Sequence, residues 1–264
     1  MHIKIVNNYV PPVPTAPSAG VEEEDLLHAG ETYDVNFVFP VKPLESDKLS
    51  LVPFIPALHL PLFQEHTAPY PEMFAYLPFG PFPTVSSAAS LYLKRVQNDP
   101  SSTWYCVVDK TRPPSPGSAG LGGAFAGIIG LLAASRAQSQ AELGYLLIPP
   151  PFQRTHVTTH ACALLLRYVL DPPALGGLGL RRAQWKANAM NERSVRAAER
   201  LGFRREALLR WAMVLPKGKE GLEPPGWEEG REGEGRHTVL LGLCWDDWEE
   251  GGREHVQALM SRVQ

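Results

Sequence analysis

The chain has 264 residues, of which 26 are proline and 23 glycine, and its formal net charge is −3. Proline at about twice its average frequency excludes a helical bundle or a coiled coil running from end to end. The apolar fraction of 44% is that of a globular protein. The nearly balanced charge gives no general attraction to nucleic acid or to an anionic membrane, so we expect neither as a partner.

The cysteines and the longest uncharged stretch indicate a cytoplasmic protein. Cys106, Cys162 and Cys244 lie far apart in apolar surroundings, which argues for a reducing compartment and against a disulfide framework or a zinc site. The apolar run Leu121–Ala134 contains four glycines and is shorter than the roughly 20 residues of a membrane-spanning helix. The first residues lack the apolar core of a signal peptide.

Residues 1–47 are rich in proline and acidic residues, and we interpret them as an extended arm with one candidate strand at Tyr33–Phe39. The next predicted elements are a strand at Lys48–Phe54, a short helix around Ala57–His66 and a helix at Ser87–Asn98. Between the two helices the chain is rich in proline and aromatic residues, which favours stiff irregular walls over regular structure.

Three strands of β-branched, aromatic and apolar residues are predicted in the centre of the chain, at Thr103–Val108, Ala124–Leu132 and Ala141–Ile148. The proline- and glycine-rich residues 112–121 are interpreted as a loop insertion between the first two. Three consecutive prolines end the third strand. The first two strands therefore resemble a hairpin with an oversized connection.

The C-terminal half alternates helices and strands, with predictions at Thr159–Leu170 (helix), Arg182–Ala187 (strand), Asn191–Leu201 (helix), Arg204–Val214 (strand), Thr238–Cys244 (strand) and Trp245–Val263 (helix). Asn191 is a suitable N-cap, and Gly202 fits the position just after the helix. Residues 217–235 are interpreted as a charged surface loop, with a flap that grips substrate as the alternative. The order of elements predicts an α/β (α+β) protein with an antiparallel front half and a central crossover.

Two segments together resemble a known family. The first runs over Ala141–Asp171 and begins with Glu-Leu-Gly-Tyr; the second runs over Ala183–Trp211 and contains Asn191, Ser194 and the pair Gly202-Phe203. The pair is similar to the GNAT superfamily of acyl-CoA-dependent N-acetyltransferases, and most similar to its RimJ/RimL-like branch. The resemblance covers roughly residues 48–248.

The resemblance implies a fold and a domain plan. The fold is a central mixed, mostly antiparallel twisted sheet of about seven strands, flanked by helices and splayed at the strand that binds the cofactor. One acetyltransferase domain would occupy residues 48–248, with loop insertions at 112–121 and 217–235. The arm, residues 1–47, precedes it, and a helix over 249–264 follows it.

The resemblance also implies acetyl-CoA as the cosubstrate, with pantetheine along the third central strand. The free N–H groups at the start of the following helix suit its pyrophosphate. The candidate contacts are Leu146, Leu147, Ile148, Gln153, Arg154, Thr155, His156, Val157, Thr158, Thr159 and Asn191. His156 and Thr158 stand where the family usually has glycine and glycine or alanine, and these side chains would narrow the phosphate site. His156 and His160 have no third ligand in the pattern, so we expect no metal.

Transfer of an acetyl group to an amine needs a base, a polarised thioester carbonyl and a proton for the departing thiolate. Glu142 is the candidate base, acting through water, and Ser194 is the candidate proton donor. The alternatives are a carboxylate at a strand end that faces solvent, and a serine that helps to cap its own helix.

The acceptor pocket is expected in the proline- and aromatic-rich segment, at Tyr70, Phe74, Tyr76, Phe79 and Phe82, although the same rings could serve as packing. We expect an enzyme that moves an acetyl group from acetyl-CoA to a primary amine, either a protein N-terminus or a small molecule, as a monomer or homodimer. The alternative is a module of the same fold that binds CoA or proteins with weak or no catalysis.

Overall fold

The computed structural model describes residues 26–28, 33–114, 116–224, 226 and 233–262. Most of the predicted arm (1–25 and 29–32) and the middle of the loop 217–235 (225 and 227–232) lie outside the described residues. The strands are β1 (Leu44–Glu45), β2 (Leu49–Pro53), β3 (Thr103–Asp109), β4 (Ala124–Ser135), β5 (Gln140–Leu147), β6 (Arg182–Asn188), β7 (Arg204–Val214) and β8 (Gly235–Cys244). The helices are α1 (Pro56–Thr67), α2 (Val85–Tyr92), α3 (His156–Leu170), α4 (Glu192–Arg200) and α5 (Arg253–Met260), with shorter turns between them.

The eight strands form one sheet in the order β1-β2-β3-β4-β5-β6-β8-β7. All neighbours are antiparallel except β5 and β6, which are parallel. This pair is joined only over Gln140–Glu142 and Arg182–Gln184, after which the two strands separate. The predicted mixed, mostly antiparallel and splayed sheet is therefore confirmed, with β1 as one strand more than predicted.

The sheet carries a hydrophobic core on each face. The first core packs α3, α4 and α5 against β5, β6 and β8, and the second packs α1 and α2 against β3 and β4. Because strand side chains alternate, Ala141 and Leu143 of β5 enter the first core, whereas Glu142 between them faces the other side. Lys186 of β6 lies on that same side, since Trp185 faces the first core.

Two sequence predictions are wrong in detail. Tyr33–Phe39 forms no strand, because Asn36 has a left-handed φ of 44° and the segment instead packs Phe37 and Phe39 against the first core. The predicted terminal helix is broken, because Gly251 has φ 120°, which a helix cannot contain. It therefore consists of a one-turn helix at Trp245–Asp247, an irregular helical segment at Trp248–Gly252 and the separate helix α5.

The folded region begins before residue 48. β1 pairs with β2, and the Tyr168 hydroxyl donates a hydrogen bond to the Pro40 carbonyl. Among the described residues, no helix has both the length and the apolar character to cross a bilayer. Most of the uncharged stretch considered above forms the buried strand β4.

Candidate active site

The separation of β5 from β6 creates an open backbone edge inside the sheet. β5 keeps its pairing with β4 as far as Leu147, but in the described structure it has no strand partner on the β6 side beyond Glu142. A β-bulge accompanies the separation, and its Tyr145 has a left-handed φ of 50°. Unpaired backbone groups at such an edge can bind an extended ligand through hydrogen bonds.

Glu142 lies at the point where the strands part. It is 6% exposed, and its carboxylate forms an ion pair with the Lys186 ammonium, with 2.8 Å between Oε2 and Nζ. Burial raises the pKa of Glu142 above its ordinary value, while Lys186 and the nearby charge of Arg236 oppose that rise. The side chain is therefore not the solvent-facing carboxylate of the alternative interpretation, and a raised pKa makes the carboxylate a stronger base.

The turn between β5 and α3 presents a helix N-terminus beside this edge. Thr155 is the N-cap, and its hydroxyl oxygen accepts from the Val157 N–H at 3.3 Å. Arg154, before it, is exposed and has a left-handed φ of 59°. The Gln153 amide donates to the Ile148 carbonyl at 2.8 Å and so braces the turn.

The other predicted cofactor contacts differ in how far their side chains are exposed. Leu146 and Thr158 are half-buried and accessible in part, whereas four others are buried in the cores or in the helix, namely Leu147, Ile148, Val157 and Thr159. A ligand at this edge would therefore meet the buried ones through their backbone. Asn191 is the N-cap of α4, since its side-chain oxygen accepts from the Ser194 N–H at 3.1 Å.

His156 is held back from the turn by a buried carboxylate. Its Nε2 lies 3.2 Å from Oδ1 of Asp109, a fully buried residue at the end of β3. Arg112 lies 3.4 Å from the other carboxylate oxygen, donates to the Pro151 carbonyl at 2.9 Å and stacks over the ring of Phe152. The contact with Asp109 directs the His156 imidazole toward β3, and this accommodates a side chain where the family usually has glycine. The contacts of Arg112 place an additional cation beside the turn.

Ser194 has a partner that the sequence did not indicate. Its hydroxyl oxygen accepts a hydrogen bond from the indole Nε1 of Trp185, at 3.0 Å, and Trp185 itself is buried on β6. The Ser194 hydroxyl hydrogen is consequently directed away from Trp185 and is available to another acceptor.

The aromatic segment, defined as residues 70–82, divides into two parts. Phe74, Phe79 and Phe82 are buried and contact one another in the second core, so they serve mainly as packing. Tyr70 and Tyr76 are half-buried. Phe79 also reaches β5, where its ring centroid lies 5.9 Å from that of Tyr145. The aromatic segment therefore forms the wall next to the bulge of β5.

A strap, defined as residues 215–222, connects the aromatic segment to the end of β6. The Lys219 ammonium donates to the carbonyls of Phe74, at 2.9 Å, Phe79, at 3.1 Å, and Gly80. The Glu220 N–H donates to the Ala75 carbonyl, and the Asn188 side chain of β6 donates to the Glu220 carbonyl. The first part of the predicted surface loop is therefore anchored on both sides of the strand separation.

The sequence matches a family model described as acetyltransferase (GNAT) domain over residues 48–204, more than half of the chain. The chain belongs to the GNAT acetyltransferase family. Members of the family transfer an acetyl group from acetyl-CoA, which is therefore the expected cosubstrate of this GNAT protein. None of the curated proteins compared with the sequence matches it significantly.

Solved structures share the GNAT fold. A GCN5-related N-acetyltransferase from Brucella melitensis has a TM-score of 0.66 at 24% identity, covering 83% of this chain and 86% of that one. A GNAT-family acetyltransferase from Bacillus anthracis has a TM-score of 0.55 at 16% identity, with coverages of 78% and 99%. A spermidine N-acetyltransferase from Vibrio cholerae, in complex with CoA and spermine, has a TM-score of 0.55 at 15% identity, with coverages of 77% and 99%. At these identities the likeness concerns the fold alone.

The residues of this GNAT protein fit acetyl-CoA in two respects. The unpaired edge of β5 offers backbone groups to an extended chain, and the start of α3, with Arg154 and Arg112 beside it, offers N–H groups and positive charge to phosphates. Arg112 was missed because it follows a strand and opens a loop that resembled an insertion.

Lys186, Lys219 and Arg236 were also missed as site residues. The available signal for Lys186 was its place in a predicted strand, two residues from Gln184 and on the same face, whereas Arg236 lies just before the predicted strand Thr238–Cys244 and gave no signal. For Lys219 there was none, because its three carbonyl partners lie about 140 residues away in the chain.

Proposed function

We propose that this GNAT protein is an acetyl-CoA-dependent N-acetyltransferase whose acceptor is a primary amine. The observation that carries the proposal is Glu142, a buried carboxylate of raised pKa at the point where β5 and β6 separate. Carboxylates tuned upward by burial can take a proton at neutral pH, and this one faces the side of the sheet lined by the aromatic segment and the strap.

In the proposed reaction the neutral amine nitrogen attacks the thioester carbonyl carbon and forms the new C–N bond. Glu142 takes the proton that the nitrogen loses, directly or through one water. A backbone N–H on the free edge of β5 stabilises the charge on the thioester oxygen. The C–S bond then breaks, and Ser194 donates its hydroxyl proton to the departing thiolate. Ser194 is reprotonated from solvent, and Glu142 releases to solvent the proton that it took from the amine. The products are the N-acetylated amine and free CoA.

Trp185 supports this role of Ser194. Because the indole N–H occupies the hydroxyl oxygen as an acceptor, the Ser194 hydroxyl is oriented as a donor. The same contact is compatible with a structural role for Ser194, since its N–H is also bonded to the N-cap residue Asn191. Kinetics of variants at Ser194 separate the two roles.

The test has two stages. Acetyl-CoA should raise the melting temperature and bind with measurable heat, and a panel of peptides, polyamines, aminoglycosides and amino acids should include an acceptor that releases free thiol. Glu142→Gln should lower kcat by about 10²- to 10⁴-fold with little change in acetyl-CoA binding. CoA binding without turnover on any acceptor would refute the enzyme and favour the alternative, a CoA-binding module. The RimJ/RimL-like branch, the cytoplasmic location and the monomeric or homodimeric state stay predictions.

A further inference from the structure

Among the described residues, Arg236 of β8 is a buried cation that no carboxylate contacts within ion-pair distance. It is 7% exposed, and its Nε is buried and makes no hydrogen bond. Within the described part of the chain it forms no ion pair. Burial lowers the pKa of Arg236, while the negative charge of Glu142 opposes that change. A buried guanidinium that no carboxylate contacts directly is costly, and a bound anionic group would offset that cost.

Arg236 lies on the acceptor side of the sheet, by which we mean the face lined by the aromatic segment and the strap. Val239 and Leu241 of β8 face the first core, and alternation therefore places Arg236 on the opposite face, with Glu142 and Lys186. Thr238 pairs with Asn188, the last residue of β6. Arg236 lies two residues before Thr238 in β8, beyond the end of β6. Asn188 in turn holds the strap, so Arg236 lies next to the anchored end of the strap.

Two carboxylates are close to Arg236 in space or in sequence, Glu142 and Glu234, and neither forms an ion pair with it in the described structure. Glu142 is paired with Lys186 at 2.8 Å. Glu234 accepts the Gly218 N–H of the strap through Oε1, at 3.0 Å, whereas its Oε2 is buried without a hydrogen-bond partner, and in the described structure no ion pair joins Glu234 to Arg236. In the part of the chain that the structure describes, the Arg236 guanidinium therefore has no carboxylate in direct contact and can accept an anionic group of a ligand.

We propose that the acceptor is an amine that also carries a carboxylate, and that Arg236 binds this carboxylate while the amine reaches Glu142. This inference rests on the proposed acetyl transfer to an amine and narrows its substrate class. Two sources share the chemistry: a free amino acid, and a peptide whose first residue has an acidic side chain. An acceptor of only positive charge, such as a polyamine, would leave Arg236 unpaired.

The experiment uses two matched pairs of acceptors with the full-length protein. One pair is phenylalanine and phenylalaninamide; the other is two tripeptide amides that begin with aspartate or asparagine. Thiol release is measured at alkaline pH, where Glu142 is ionised, for the wild type, for Arg236→Met and for the control Arg210→Met, which removes an exposed arginine of β7. Circular dichroism and melting temperatures verify that each variant is folded.

We expect the wild type to prefer the acid of at least one pair by tenfold or more in kcat/KM, and the preferred pair identifies the source. Arg236→Met should abolish that preference, because kcat/KM for the acid should fall at least tenfold more than kcat/KM for the amide, while Arg210→Met behaves as the wild type. Equal use of acids and amides by the wild type would overturn the proposal. An equal loss for acid and amide in Arg236→Met would also overturn it, because the arginine would then act through Glu142 or through packing.

The failure of acetyl transfer itself is distinguishable from the failure of this inference. If none of the four acceptors releases thiol, calorimetry of the same compounds with the CoA-loaded protein provides the second readout. Binding selective for the acid and lost in Arg236→Met would support the anion site in a protein without catalysis. Binding that does not distinguish acid from amide would reject it.

Discussion

The ion pair between Lys186 and Glu142 allows a quantitative test of the proposed base. Lys186→Met removes a positive charge 2.8 Å from the Glu142 carboxylate. Because about a third of the Lys186 side chain is exposed, the dielectric of water is the appropriate conservative choice, and Coulomb's law then gives about 1.5 kcal/mol. That free energy corresponds to a factor of about ten in the fraction of ionised Glu142.

The direction follows from the pKa. Burial already raises the pKa of Glu142, and Lys186 opposes that rise, so the variant moves it further upward. A base works in its ionised form, and kcat/KM therefore rises with pH through the pKa of Glu142. On this acid limb Lys186→Met should lower kcat/KM about tenfold, and the loss should disappear at high pH, where Glu142 is ionised in both proteins.

The assay is a profile of kcat/KM against pH by thiol release, with two comparison variants. Lys110→Met breaks a lysine–glutamate pair whose Glu45 is 62% exposed, and it should leave the profile unchanged. Glu142→Gln should remove the acid limb altogether. If the acid limb of Lys186→Met coincides with that of the wild type, the ionisation that controls the rate is not that of Glu142, and the proposed base is refuted.

Three further predictions concern the acid, the strap and the turn. Ser194→Ala should lower kcat about tenfold or more without changing the KM of acetyl-CoA. Trp185→Phe should lower kcat less, because the Ser194 hydroxyl remains. Equal turnover of Ser194→Ala and wild type would assign Ser194 a capping role only. Lys219→Met should release the strap, seen as faster proteolysis within it and a severalfold higher acceptor KM, and an unchanged digestion pattern would contradict this. Arg154→Gly should leave the melting temperature within a few degrees, because glycine accepts the left-handed φ of 59°, but should weaken CoA binding by calorimetry severalfold; unaltered affinity would exclude Arg154 from the phosphate site.

Local rules account for much of the fold. The seven predicted strands from residue 48 onward all exist, because alternation and β-branched residues are properties of a few consecutive positions. The N-cap at Asn191 was predicted from the residue type alone, and the structure shows its bond to the Ser194 N–H. The errors at Tyr33–Phe39 and near Gly251 arose where single left-handed residues override a pattern.

The sequence by itself determined the order of elements, the family motifs and the place of Glu142 at the start of the strand that later separates from its neighbour. Only the tertiary structure decided what surrounds Glu142. Lys186 comes from β6, Arg236 from β8 and the Lys219 strap from the loop between β7 and β8, and these meet because the sheet order places β8 beside β6. The burial and the electrostatic environment of the site depend on residues up to about 140 positions apart in the chain. Strand pairing and packing bring these residues together, and no local sequence pattern contains that information.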